Sequence, residues 1–135
     1  MIGLDTNVLV RYLAQDDARQ AAVATRFVEQ ELSPAQPGFI SLVVLVELCW
    51  VLKRLYAATE GELVATVDDL LRAAQFHVES RDVVQACTQR MTELKGSKAG
   101  FSDMLIAHMA SAQGCSHTVS FDKSAVRSCG MVLLV

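Results

Sequence analysis

The chain is short of the residues that break or staple small folds. Two prolines and seven glycines in 135 residues, with no long polar tract, leave no low-complexity segment and no convincing linker. Residues 1–135 are therefore expected to fold as one domain, long enough to bury a real core. Cys49, Cys87, Cys115 and Cys129 form no C-x-x-C pair and are too sparse for a disulfide scaffold, so they read as reduced, mostly packed thiols. No basic segment precedes an apolar run at the N-terminus. The longest apolar stretch, residues 39–52, is short for a bilayer span and contains Glu47. A soluble, cytoplasmic protein with no membrane role is the expectation.

Positive charge is scarce as well. Twelve Lys and Arg against fifteen Asp and Glu give a net charge of -3, which argues against holding nucleic acid by bulk positive charge. It does not exclude a nuclease, because metal ions in an acidic pocket contact phosphate themselves while a few cations surround the cleft. His77, His108 and His117 show no metal-ligand spacing, and no Ser-His-Asp or Cys-His arrangement emerges, so a nucleophilic hydrolase is not expected.

What the chain has in quantity is apolar surface: 52% of it is hydrophobic, with a mean hydropathy of +0.31. That is more than a small monomer easily hides, and a two-fold homodimer is the default expectation, with a groove between the early helices able to receive a partner's amphipathic helix.

Periodicity and punctuation predict the elements. Met1-Ile-Gly-Leu reads as a strand ending at Asp5, followed by a helix from Thr6 or Asn7 through Leu13 and another from Asp17 to Leu32. Gly38-Phe-Ile is a brief strand, Ser41 caps a helix to about Tyr56, and a helix from Thr59 to Ala74 completes a hairpin. Phe76 to Glu79 reads as a strand, Arg81 to Leu94 and Ser102 to Gln113 as helices, and His117 to Phe121 and Met131 to Val135 as strands. Near-continuous apolar strands separated by helices predict a three-layer α/β/α fold with a mostly parallel central sheet, in which sites form beyond the carboxyl ends of the strands.

Four acids interrupt or end strongly apolar stretches: Asp5, Glu47, Asp103 and Asp122. A carboxylate taken out of water is costly unless it finds a cation or a metal. Glu47 has Val43, Val44, Trp50 and Val51 three and four positions away, so it is expected to face a packed region or a cleft. Each acid has an ordinary alternative: Glu47 as a partly buried ion pair, Asp103 in the first turn of a helix, Asp5 and Asp122 as caps or turn residues. Taken together they suit one or two hard cations, Mg²⁺ or Mn²⁺, with Thr6, Asn7, Ser41 and Ser120 as supporting polar positions.

Leu4-Asp-Thr-Asn-Val-Leu-Val-Arg, Ile40-Ser-Leu-Val-Val-Leu-Val-Glu, Phe101-Ser-Asp-Met-Leu-Ile-Ala and Thr118-Val-Ser-Phe-Asp-Lys resemble, in order and spacing, the signature blocks of PIN domains. The resemblance covers the full chain, and its compact length is similar to that of VapC-type toxins of toxin–antitoxin pairs. It implies a Mg²⁺- or Mn²⁺-dependent endoribonuclease with Asp5, Glu47, Asp103 and Asp122 as both catalytic residues and metal ligands. Thr6 and Ser120 support them. It also implies a homodimer and a cognate VapB-like antitoxin that holds the enzyme inactive. Some relatives carry a further acid shortly before the Asp103 position, where this chain has Lys98-Ala-Gly-Phe.

Arg11 and Lys123 lie close in sequence to site acids and are candidates for RNA phosphate contacts, whereas Lys53, Arg54 and Lys98 read mainly as solvated cations. Trp50 and Tyr56 read as core or interface residues. Two other functions remain open: a phosphatase using Asp5 as nucleophile, which would need a second close acid that Asp-Thr-Asn lacks, and a catalytically silent partner-binding module.

Overall fold

Asp5, Ser41 and Asp122 each stand where a strand hands the chain over to a helix, and each caps that helix with its own side chain. The computed structural model describes residues 1–94 and 98–135. In chain order its strands are β1 (Ile2–Gly3), β2 (Gly38–Ile40), β3 (Phe76–Val78), β4 (Val119–Ser120) and β5 (Val132–Leu133). Its helices are α1 (Thr6–Ala14), α2 (Ala18–Arg26), α3 (Leu42–Leu55), α4 (Glu60–Arg72), α5 (Arg81–Glu93), α6 (Phe101–Ala112) and α7 (Lys123–Cys129).

The three-layer α/β/α class expected from the sequence is the one observed. All strand pairs are parallel, and β2 lies between β1 and β3, with Gly38 opposite both Ile2 and Phe76. Among the described residues the strands form two sheets, since β4 and β5 pair with each other, Val119 opposite Val132, and not with β1.

Most expected boundaries hold within a residue or two. Asp17 caps α2 through the Gln20 amide, Ser41 caps α3 through the Val44 amide at 3.1 Å, and Thr59 and Glu62 close a reciprocal capping box at the start of α4. Three features depart. β1 stops at Gly3 because Asp5 is already spent as a cap, its Oδ1 accepting from the Thr6 amide at 2.9 Å. The expected helix to Leu32 is α-helical only to Arg26 and then widens into a π-helical turn, Phe27–Glu31. Helix α7 was not expected at all, although its punctuation is present: Asp122 at the start and Gly130, with φ of 70°, at the end.

One core unites these pieces. Leu9, Val28, Ile40, Leu45, Leu48, Val84, Phe101 and Met104 are fully or almost fully buried, and burying a side chain of this size contributes roughly 1.5–3 kcal/mol. Helix α3 turns Leu45, Leu48, Cys49 and Leu52 inward and leaves Val43, Val46 and Trp50 in solvent. Gly38 lets β2 approach its neighbours, for a Cβ there would come within 2.7 Å of Leu4 and 2.8 Å of Leu32. Arg81 ties α5 to the end of α4 by donating to the Leu71 carbonyl. No helix among the described residues is long and apolar enough to cross a membrane.

Candidate active site

Asp5 and Asp122 stand at strand-to-helix junctions and Glu47 and Asp103 on helices, and the four fall into two separate groups. In the first, Asp5 ends the β1 segment and caps α1, while Thr6, only 3% exposed, donates its hydroxyl hydrogen to Oε1 of Glu47 on α3. Thr6 thus touches both acids, by its amide and by its hydroxyl. Ser41 fixes the start of the helix that carries Glu47. Glu79, just past β3, accepts from the Leu42 amide at 2.8 Å and completes the line of polar groups at the carboxyl ends of β1, β2 and β3. Such a line is where open α/β sheets place their ligands.

Glu47 itself is exposed, and the expectation that it faces a packed region is corrected. Its apolar neighbours Val43 and Trp50 are exposed too, at 79% and 60%, so the apolar surroundings belong to an open helix face rather than to the core. The same exposure removes Trp50 from the core.

The second group is built around Asp103 in the first turn of α6. Burial raises its carboxyl above the ordinary Asp range, and the negative charges of Asp122 and Glu60 raise it further, while Lys53 opposes them. Asp122 caps α7 through the amides of Ser124, at 2.8 Å, and Ala125. Ser120 in turn accepts from the Asp122 amide at 2.9 Å and holds the turn between β4 and α7.

Glu60 was not singled out in the sequence, yet it joins this group. Its Oε2 accepts from the Phe101 amide at 3.0 Å, capping α6 from another helix, and its Oε1 pairs with Lys53 at 2.7 Å. A Cβ built on Gly100 would lie 3.5 Å from Asp103 Oδ2 and 3.8 Å from Glu60 Oε1, so both carboxylates crowd one point beside that glycine. No local signal relates position 60 to position 103, and only the packing of α4 against α6 does so. Lys53 carries a raised pKa, mainly through its hydrogen bond to Glu60. Buried Cys49, pushed up to about 12 by burial and then by the Glu60 charge, stays a protonated thiol beneath the group, and Cys129 is raised by burial, then by Asp103 and Asp122.

The remaining candidates fall elsewhere. Asn7 and Arg11 line the hollow between α1 and α2, and Arg11 is engaged there by Asp16 at 3.1 Å and Gln20 at 2.7 Å. Lys123 is exposed at the first position of α7. With side chains placed in this way, no group of three or more His, Cys, Asp or Glu among the described residues stands ready to cage an ion. The donor chemistry nevertheless suits a hard cation: every acid offers oxygen, and Asp103 bears the like-charge strain a cation relieves.

No curated protein matches the chain. A family model described as PIN domain matches residues 2–129, from the first strand through the last helix. With both junction acids, both helix acids and every element but β5 inside that match, the chain belongs to the PIN domain family, a nuclease-type fold.

Proposed function

We propose that the protein is a metal-dependent endoribonuclease and the toxin of a type II toxin–antitoxin pair, with Asp5, Glu47, Asp103 and Asp122 sharing the metal site. PIN domains are generally metal-dependent nucleases, which supports the coarse reading. The observation that carries the finer one is the Asp5–Thr6–Glu47 linkage, which ties two acids 42 positions apart to a single buried hydroxyl residue.

In this reading Asp5, Glu47, Asp103 and Asp122 would hold Mg²⁺ or Mn²⁺, which supplies acidification of a bound water and charge stabilisation at the scissile phosphate. The chain's own residues do the positioning. Thr6 orients Glu47, Ser120 and the first turn of α7 orient Asp122, and Glu60 fixes the start of α6 and with it Asp103. RNA is the substrate, an antitoxin the controlling partner and a homodimer the working form; the exposed apolar face of α3 and the α1/α2 hollow supply surface for such contacts.

The test is cleavage of total cellular RNA by purified protein with Mg²⁺ or Mn²⁺ against EDTA, beside an Asp5→Asn variant. Discrete metal-dependent fragments from the wild type alone are expected. Folded, antitoxin-free protein that cuts nothing with either ion would favour a partner-binding module instead.

A further inference from the structure

A cation stands among the acids of the second group. Lys53, in the last turn of α3, extends its ammonium to Oε1 of Glu60 at 2.7 Å. That same oxygen is the one nearest Gly100: a Cβ there would lie 3.8 Å from it and 3.5 Å from Asp103 Oδ2. The ammonium is thereby brought beside an acid of the proposed metal site. Arg54, the next residue, is placed instead over the Trp50 ring, 5.7 Å from its centre.

An ordinary surface ion pair joins two mobile side chains and contributes little. Here one partner is fixed. Oε2 of Glu60 accepts from the Phe101 amide at 3.0 Å, so the carboxylate that holds Lys53 is itself tied to the first turn of α6, the turn that carries Asp103. The charge of Lys53 is felt at Asp103, where it counters Asp122 and Glu60. Carboxylates crowded together favour a cation, and an ammonium and a divalent ion are alternative ways to supply one. The two repel each other when both are present.

We propose that Lys53 is a resident counter-ion of the site: its ammonium, positioned by Glu60, neutralises the Asp103 corner of the metal-free protein, and a divalent ion binds there against it. The inference rests on the metal-dependent reading above and adds a residue that sets the affinity for the ion. Glu60 is the positioning residue, because its second oxygen fixes it to α6. Loading with metal is therefore opposed from within the chain.

The test uses Mn²⁺ alone, with no RNA, titrated into metal-free protein by calorimetry. Lys53→Met, which keeps the apolar stem and removes the charge, is expected to bind Mn²⁺ roughly tenfold more tightly than the wild type, and Lys53→Gln to behave alike. Lys53→Arg should stay near the wild type. Arg54→Met removes the same charge one residue along and should change the affinity less than about twofold, since salt screens the more distant cation. Thermal melts separate this role from a structural one. In EDTA, Lys53→Met should melt below the wild type, and Mn²⁺ should raise its Tm by more than it raises that of the wild type. An ion pair that serves the fold alone would lower the Tm equally with and without Mn²⁺ and leave the affinity where it was, and that result overturns the inference. So does weaker Mn²⁺ binding by Lys53→Met, or an equal gain from Arg54→Met. Each of these leaves the nuclease reading standing, whereas no Mn²⁺ binding by any of the proteins would sink the shared metal site and this inference with it.

Discussion

Thr6 donates its hydroxyl hydrogen to Glu47 from a position that is 3% exposed, while Glu47 itself stands in solvent. A buried donor thus holds an exposed acceptor. The carboxylate is pinned at one oxygen and has no hydrogen-bond partner at the other among the described residues, which is the condition a metal-binding acid needs: restricted in position yet open to an ion.

Replacing Thr6 by Val keeps the shape and removes that donor. The variant is expected to lose about 1 kcal/mol in urea denaturation, the usual worth of one hydrogen bond, and to cut RNA at least tenfold more slowly as Glu47 loses its anchor. Thr6→Ser, which keeps the hydroxyl, should recover the activity. Equal activity in all three proteins would remove Thr6 from the proposed site.

Asp103→Asn should abolish cleavage and stabilise the metal-free protein at neutral pH. The native carboxyl is raised by burial first and then by Asp122 and Glu60, so its ionised form is disfavoured in the fold. That penalty is fully present above the raised pKa and disappears as the pH falls through it toward the ordinary Asp range. The advantage of the variant should therefore shrink in acid, and denaturation at pH 7 and pH 4 checks the sign.

Mg²⁺ should raise the Tm of the wild type, with about 2.7 kcal/mol of stabilisation when the ion stands at a hundred times its Kd. Asp5→Asn and Asp103→Asn should lose most of that gain. Differential scanning calorimetry with Mg²⁺ and with EDTA reads it without any substrate. A wild type indifferent to Mg²⁺ and Mn²⁺ would argue against a shared ion.

Gly38→Ala should destabilise by about 1–3 kcal/mol, because the added methyl would press on Leu4 and Leu32 where β2 passes between β1 and β3. Guanidinium denaturation measures the loss. Cleavage per folded molecule should change little, since Gly38 touches none of the four acids.

Much of the framework was legible because its signals are local. Ser41 and Thr59 announced their helices by cap chemistry, and Gly38-Phe-Ile stood as a strand between Pro37 and Ser41. Helix α7 escaped because seven residues carry too little periodicity to register, although Asp122 was already weighed as a cap or turn residue after the preceding strand. The outer face of α3 was misread for a related reason: an apolar stripe in sequence says nothing about whether anything covers it, and here Val43 and Trp50 are uncovered.

The sequence by itself determined which residues could cap, bury and bind, since propensity, patterning and charge are properties of neighbours along the chain. It marked the four acids and the four blocks that contain them. Only the tertiary structure decided that Thr6 bridges to Glu47, that Glu60 and Lys53 join Asp103, and that Arg11 is drawn away to Asp16. Those relationships depend on which helices pack together. Packing is set by the summed burial of many side chains, so no single residue along the chain records it.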